Sequence, residues 1–175
     1  MSNEIQTAVI SVLIENEAGA LGRVVGLFSA RGYNVESLTV AVVEREDGLS
    51  RITVVTSGTP MVIEQIKAQL ARLIPVHSVT DLTASGPYVA REMALIKVVS
   101  TGDARTEGMR IAEAFRARIV DTTAGSFVFE LTGAPEKVDA FVDLMRPLGL
   151  AEVSRTGVAA IMRGPQTFKS KQESY

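Results

Sequence analysis

The sequence predicts an α+β protein made of two consecutive βαββαβ domains. Apolar, strand-like runs and amphipathic stretches follow one another in the order strand, helix, strand, strand, helix, strand over residues 8–82. The same order recurs over 93–154, with the two first strands about 85 residues apart. Glycine- and proline-containing turns separate the elements, and a hydrophobic content of 46% is enough for packed cores. This order is the split βαβ arrangement of ferredoxin-like domains.

The chain divides at changes of composition. We predict a first domain over 1–83, a linker over 84–90 that contains Ser85-Gly86-Pro87, and a second domain over 91–164. Residues 165–175 are polar and without periodicity, which predicts a mobile tail.

The turn 16–23 joins the first strand to the first helix. Residues 8–14 are apolar and β-branched, which predicts a buried strand, and the apolar spacing after the turn predicts a helix that ends at Arg31-Gly32. The helix N-terminus offers amides and a positive dipole, Gly19 and Gly22 allow close backbone approach, and Asn16 stands beside them. The turn therefore favours binding of a carboxylate. A plain strand-to-helix connection is the simpler alternative.

The rest of the first domain is predicted element by element. Residues 35–43 alternate, which predicts a strand with a core face of Leu38, Val40 and Val42. Asp47-Gly48 is a hairpin signal, so 50–56 should return antiparallel to that strand. Thr59-Pro60 caps and begins a second helix, and 76–82 forms the fourth strand.

The second domain follows the same criteria. Its helices are predicted to start at a cap formed by Asp103 and at Pro135. Its strands are predicted at 93–99, 118–122, 127–132 and 150–154. The turn at 100–103 has no counterpart of the motif at 16–23, so we expect the two domains to differ in function.

Composition excludes several classes of function. The 18 basic and 20 acidic residues give a net charge of −2, without the positive excess expected for nucleic-acid or membrane-surface binding. The absence of cysteine excludes disulfides, thiolate metal sites and a cysteine nucleophile. The first residues do not resemble a signal peptide and no apolar run reaches about 18 residues, so we expect a cytoplasmic protein.

Candidate catalytic and metal-binding side chains do not converge. We predict a structural or surface role for the single histidine, His77. The acidic residues near the predicted hairpin suit a solvated turn better than a divalent ion; they are Glu44, Glu46 and Asp47. Arg91-Glu92 and the arginines at 116 and 118 are interpreted as solvated charges near strand ends. We therefore predict no catalytic residue, metal or cofactor in this chain.

Binding of RNA is a known use of ferredoxin-like sheets, through aromatic residues on the two central strands. Here the strands at 9–14 and 51–56 carry no aromatic residue. Phe127 and Phe129 alternate with Val128 and Glu130 in a way that fits a core face. The lack of exposed aromatic residues on these strands and the negative net charge of the chain together disfavour RNA as a partner.

The residues themselves resemble a known family. The segments ISVLIENEAGAL at 10–21 and GLFSARGYNVESLTV at 26–40 closely resemble the N-terminal ACT domain of acetolactate synthase (acetohydroxyacid synthase) small subunits. The similarity continues through Ser50-Arg51, Arg91-Glu92 and the segment RTGV at 155–158, and covers all of the chain except the tail.

The resemblance implies a dimeric regulatory subunit of a transferase, without a catalytic site of its own. Its partner would be the large catalytic subunit, which carries thiamine diphosphate, magnesium and FAD. That subunit joins two pyruvates into 2-acetolactate and CO2, or pyruvate and 2-oxobutyrate, in the synthesis of valine, leucine and isoleucine. The small subunit would raise this activity and confer feedback inhibition, typically by valine.

The effector site that the resemblance implies lies between two ACT domains of a homodimer. One chain would contribute Asn16, Gly19, Ala20 and Leu21, and the other chain Asn34 and Val35. Family members often have serine where this chain has Gly22, so one hydroxyl contact is missing. Two other functions stay open: a free-standing ACT amino-acid sensor with another partner, and an enzyme. A transcriptional sensor should carry a basic DNA-binding stretch, and an enzyme should show converging titratable groups.

Overall fold

A computed structural model describes residues 4–44, 46, 48–165 and 167 of the chain. The predicted tail, apart from Pro165 and Thr167, and the hairpin residue Asp47 lie outside the described residues. Two compact units are present: residues up to Val89 together with those from Val158 onward form the first, and Ala90–Gly157 forms the second.

The first unit contains the elements expected of a βαββαβ domain, followed by a short extra helix. They are β1 (Gln6–Glu15), α1 (Ala20–Arg31), β2 (Ser37–Glu44), β3 (Leu49–Gly58), α2 (Pro60–Leu70), β4 (Val76–Asp81) and α3 (Leu82–Ser85). The strands form an antiparallel sheet in the order β2-β3-β1-β4. One face of β1 and β3 packs against α1 and α2 and forms the core, with Ile10, Ile52, Val24 and Ile66 fully buried. The fold class predicted for this domain is confirmed.

The second unit repeats this arrangement. Its elements are β5 (Tyr88–Val99), α4 (Gly102–Phe115), β6 (Arg118–Thr122), β7 (Ser126–Gly133), α5 (Pro135–Met145), a 3-10 turn (Arg146–Leu148) and β8 (Leu150–Arg155). The sheet order is β6-β7-β5-β8, the same as in the first unit. Phe127 and Phe129 are buried in the core with Phe141, as the alternation of their strand predicted.

Helix α3 (Leu82–Ser85) overlaps the start of the predicted linker at 84–90. The Asp81 carboxylate accepts a hydrogen bond from the Ala84 amide at 3.1 Å, and the Asp81 carbonyl accepts one from the Ser85 hydroxyl. These caps explain why a single helical turn forms before Gly86-Pro87. Asp103 does not cap α4, contrary to prediction, because the helix already begins at Gly102, with Thr101 at the N-cap position.

The prediction for the faces of β2 was wrong in part. Leu38 packs against the core, but Val40 and Val42 are about half exposed. The reason is the position of β2 at the edge of the sheet, where it pairs with β3 alone on the described path. Alternation of apolar residues cannot distinguish a covered strand from an edge strand.

A last strand, β9 (Ala159–Met162), was not predicted; the Arg163 amide directly after it donates to the Pro87 carbonyl at 3.0 Å, within the first unit. The residues just before it contact the sheet of the first unit: the Ser37 hydroxyl accepts a hydrogen bond from the Val158 amide, and the Thr39 hydroxyl donates one to the Val158 carbonyl. Val158 and Ala160 are buried, as are Ser11 and Leu13 on the sheet face opposite the helices. This second face of the first sheet is therefore covered.

Candidate functional site

The turn between β1 and α1 is held at one end of the first sheet by its backbone. The Asn16 amide donates to the Gly48 carbonyl at 2.6 Å, and the Glu15 amide donates to the Pro75 carbonyl at 2.8 Å. Residues 16–19 are all exposed, whereas Ala20 is buried and anchors the start of α1 in the core. The turn is therefore a fixed but solvent-facing loop.

Gly19 gives the N-terminus of α1 its shape. It occupies the N-cap position in the left-handed region, with φ of 87°, where a glycine is favoured over residues that carry a Cβ. Within the described part of the chain, no side chain caps this helix and its first turn carries no acidic residue. The Ala20 amide donates to the Glu17 carbonyl at 3.2 Å, so the amides that follow it and the positive end of the helix dipole are what remains for solvent or a ligand.

Space is available around this N-terminus. A Cβ built on Gly19 or Gly22 would meet no described atom within 4 Å. The neighbouring Arg23 and Glu17 side chains pair with each other at 3.0 Å, and both are about half exposed. The Glu17 carboxylate beside the helix N-terminus is therefore paired with the Arg23 guanidinium.

Asn34 and Val35 lie between α1 and β2. The Asn34 side-chain amide donates to the Ser57 hydroxyl at 3.1 Å, and the Asn34 carbonyl accepts from the Thr56 hydroxyl at 2.5 Å. These bonds hold the segment against the last residues of β3, while the Asn34 and Val35 side chains face solvent.

The structure does not bring the two groups of predicted site residues together within one chain. The turn follows Glu15, which pairs with Leu49, whereas Ser57, the partner of Asn34, pairs with Thr7. Glu15 and Thr7 are eight residues apart on β1, which is about 27 Å along a strand. Asn16, Gly19, Ala20 and Leu21 therefore gather at one end of the unit, and Asn34 and Val35 at the opposite end.

Apolar side chains are exposed along α1 between these two ends. Leu21 is 38% exposed and Val25 is 43% exposed, at the flank of the helix face that buries Val24 and Phe28. Gly22 and Gly26 are exposed farther round the helix, and apart from their chain neighbours and the backbone of the helix itself, no described atom lies within 4 Å of a Cβ built on either. The edge strand β2 adds Val40, Val42 and Val43.

The single histidine, His77, has a carboxylate as its partner. His77 Nε2 lies 3.2 Å from Glu15 Oε1, in keeping with the surface role expected of it. Among the residues that the structure describes, no cluster of three or more His, Cys, Asp and Glu is arranged to hold a metal ion. In the same residues, no helix is long and apolar enough to span a membrane.

Glu92 is not a solvated charge, contrary to the prediction for Arg91-Glu92. It is 4% exposed, and its carboxylate is bound by both the Nε and Nη2 groups of Arg155, with Nε at 3.1 Å. Arg155 Nη1 also donates to Asp139 at 2.7 Å. The hydrogen-bonded Glu92 carboxylate, with Asp139, raises the pKa of Arg155 despite partial burial. The sequence gives no sign that residues so far apart meet.

Two family models match the chain. The model described as the AHAS small subunit-like ACT domain matches residues 10–78, and the model described as the small subunit of acetolactate synthase matches residues 91–164. The two matches fall on the two βαββαβ units.

Relatives with these descriptions align with most of the chain. The probable acetolactate synthase small subunit of Archaeoglobus fulgidus is 48% identical over 89% of this chain and 96% of that protein. The acetolactate synthase isozyme 3 small subunit of Escherichia coli is 44% identical over 92% of this chain and 98% of that protein. The crystal structure of the acetolactate synthase small subunit from Thermotoga maritima superimposes with a TM-score of 0.79 at 36% identity, covering 91% of this chain and 98% of that one.

Proposed function

Because the chain belongs to the family of acetolactate synthase small subunits, we propose that it activates the large catalytic subunit and makes it sensitive to valine. The chain itself is a regulatory, non-catalytic subunit with an ACT domain. In this proposal the large subunit carries thiamine diphosphate, magnesium and FAD and forms 2-acetolactate from two pyruvates in the cytoplasm.

The uncapped N-terminus of α1 supports the choice of a free amino acid as effector. Its first-turn amides and dipole suit a carboxylate, and Gly19 lets the ligand approach the backbone. The exposed Asn16 side chain offers an oxygen to an ammonium group. The exposed side chains of Leu21 and Val35 offer apolar surface to a short branched side chain.

The observation that carries the proposal is the separation of the two groups of site residues by about 27 Å along β1. A two-fold axis across α1 would place two such helices antiparallel, with the turn of one chain beside Asn34 and Val35 of the other. The exposed apolar side of α1 and the edge strand β2 supply surface for such a dimer. Each dimer would then hold two equivalent sites, each completed by both chains.

A site divided between two chains also provides a mechanism. Valine that contacts both chains favours the relative arrangement of the two ACT domains in which its contacts are complete. If the catalytic subunit is less active when bound to that arrangement, valine inhibits it by linkage, with a coupling of about 1 to 3 kcal/mol in typical cases. No contact between valine and the catalytic centre is needed.

Reconstitution tests the proposed function. The large subunit is assayed for 2-acetolactate alone, with this chain, and with this chain plus valine or isobutylamine, which is valine without its carboxylate. We expect the chain to raise activity, valine to lower it, and isobutylamine to have no effect. Unchanged activity of the large subunit on addition of the chain would contradict the proposal and favour an ACT sensor with another partner.

A further inference from the structure

The first unit contains a cavity that the turn at 16–23 does not share. Its volume is about 260 Å³, and its walls come from three strands of the sheet, from Leu82 at the start of α3, and from residues after Gly157. Ser11, Arg51, Thr80 and Thr167 supply its polar side chains. Ser11 alternates along β1 with the core residues Ile10 and Val12, so the cavity lies on the sheet face opposite α1 and α2.

Strand register places three of these polar side chains, those of Ser11, Arg51 and Thr80, side by side. Ser11 on β1 is directly opposite Thr80 on β4, and its neighbour on the same face, Leu13, is directly opposite Arg51 on β3. Arg51 is thus diagonal to Ser11, within reach of a long side chain. The guanidinium and the two hydroxyls can donate hydrogen bonds into one space.

In the part of the chain that the structure describes, the Ser11 hydroxyl is buried without a hydrogen-bonded acceptor or donor beside it. The residue is 0% exposed, and its hydroxyl has no hydrogen-bond partner among the described residues. A buried hydroxyl without a partner destabilises the folded state, so such a group in a cavity wall requires an explanation. A ligand oxygen held between Ser11, Thr80 and the positive charge of Arg51 would provide one.

The remaining residues that line the cavity indicate which class of ligand would fit it. None of the described lining residues is acidic, so no carboxylate is offered to an ammonium group. The apolar lining residues suit a short hydrocarbon tail; they are Leu82, Ala160, Ile161 and Met162. At about 30 Å³ per water in the liquid, the volume corresponds to about eight or nine waters, and hence to a ligand with about as many non-hydrogen atoms.

We propose that this cavity is a second ligand site, which binds a small monocarboxylate with a short apolar tail and no ammonium group. The carboxylate lies against Ser11, Thr80 and Arg51, and the tail lies against Leu82 and Met162. The site is separate from the amino-acid site proposed at 16–23 and does not depend on it.

Methionine methyl groups allow a local test. The full chain, labelled with ¹³C at the methionine methyls, is titrated with 3-methylbutanoate, which has seven non-hydrogen atoms, and observed by NMR. We expect a saturable shift of the Met162 signal with a dissociation constant of about 1 mM, because so small a ligand makes few contacts. The signals of Met61 and Met109, which do not line the cavity, should stay in place. A Met162 signal that does not respond overturns the proposal.

Matched ligands and variants test the chemistry. The uncharged 3-methylbutanamide and the ammonium-bearing valine should each shift Met162 at least tenfold less strongly at equal concentration. Arg51→Gln should weaken 3-methylbutanoate binding at least tenfold and Ser11→Ala several-fold, while Arg72→Gln, an exposed arginine of the same unit, should change nothing. Equal binding of the amide, or unaltered binding by both Arg51→Gln and Ser11→Ala, would overturn the assignment.

Discussion

At the scale of single residues, Gly19 leaves space open beside the N-terminus of α1. Its backbone is left-handed, and apart from its chain neighbours no described atom lies within 4 Å of where a Cβ would stand. A side chain at this position would therefore project into free space beside the first amides of the helix. An acidic side chain there would act as a fixed carboxylate in place of the ligand's own.

We predict that Gly19→Asp yields a chain that still activates the catalytic subunit but no longer confers valine inhibition. The backbone cost of a side chain with positive φ is about 1 to 2 kcal/mol, which a folded domain tolerates. The readout is the valine concentration that halves reconstituted activity, which should rise at least tenfold.

The control for this variant is Gly102→Asp. Gly102 also has positive φ and lies at the equivalent strand-to-helix turn of the second unit, with the same free space around it. It should carry the same backbone strain and charge while valine inhibition stays normal. Inhibition that is unchanged in Gly19→Asp, or lost equally in both variants, would show that the turn at 16–23 is not the effector site.

Glu92, which pairs with Arg155, is the most buried carboxylate among the described ion pairs. Removing Arg155 would leave the Glu92 carboxylate buried without its main partner. We predict that Arg155→Ala lowers the free energy of unfolding by about 1 to 3 kcal/mol, less than for a fully buried pair because Arg155 is partly exposed. Urea unfolding measures this change.

Arg118→Ala is the matched comparison for that prediction. Arg118 pairs with Glu130 at 3.6 Å and is mostly exposed, so its loss should change the free energy of unfolding by less than about 0.5 kcal/mol. Equal effects of the two arginine substitutions would mean that the burial of Glu92 does not determine the stability of the pair.

At the scale of elements, the sequence predicted the order of strands and helices well and the edges of the sheet poorly. Local signals specify α2, where the Thr59 hydroxyl accepts from the Val62 amide and Pro60 follows it. They also specify the end of α1 at Gly32, whose φ is 65°. The exposure of Val40 and Val42 depends instead on which strands pair, and alternation along one strand carries no such information.

Lys67 links two elements, since its amine pairs with Glu64 on α2 and with Asp81 at the end of β4. Burial alone would lower the pKa of Lys67, but the two carboxylates outweigh it and raise the pKa above its ordinary value of 10.5. A lysine with a raised pKa in the folded state stabilises that state below pH 10.5, and this contribution is lost as pH rises through the raised pKa.

We therefore predict that the difference in free energy of unfolding between the wild type and Lys67→Met narrows as pH rises above about 10.5. The difference at neutral pH should be below about 1 kcal/mol, since part of the cluster is in contact with solvent. Urea unfolding at pH 8 and pH 11 gives the comparison. A constant difference between these two pH values would mean that the charge on Lys67 does not stabilise this junction.

At the scale of the whole molecule, the resemblance of the sequence to acetolactate synthase small subunits is confirmed by the family matches over both units. The candidate residues at 16–21 and 34–35 were predicted to come from different chains, and their separation along β1 is what such a site requires. The valine site itself stays a prediction. The cavity beside Ser11 could not be predicted, because nothing in the periodicity indicates that residues after Gly157 return to the first sheet.

Mixing two defective variants tests whether each valine site is completed by two chains. Gly19→Asp damages the turn, and Asn34→Ala damages the other half of the site. A heterodimer of the two, purified by two different affinity tags, would contain one site with both halves native and one site with both halves altered.

Isothermal titration of that heterodimer with valine gives the answer. We predict that neither variant homodimer binds valine, and that the heterodimer binds about one valine per dimer with nearly wild-type affinity, because one complete site is restored. A heterodimer that binds no valine, although wild-type dimers do, would contradict a site shared between chains and would place all of the residues that bind valine within one chain.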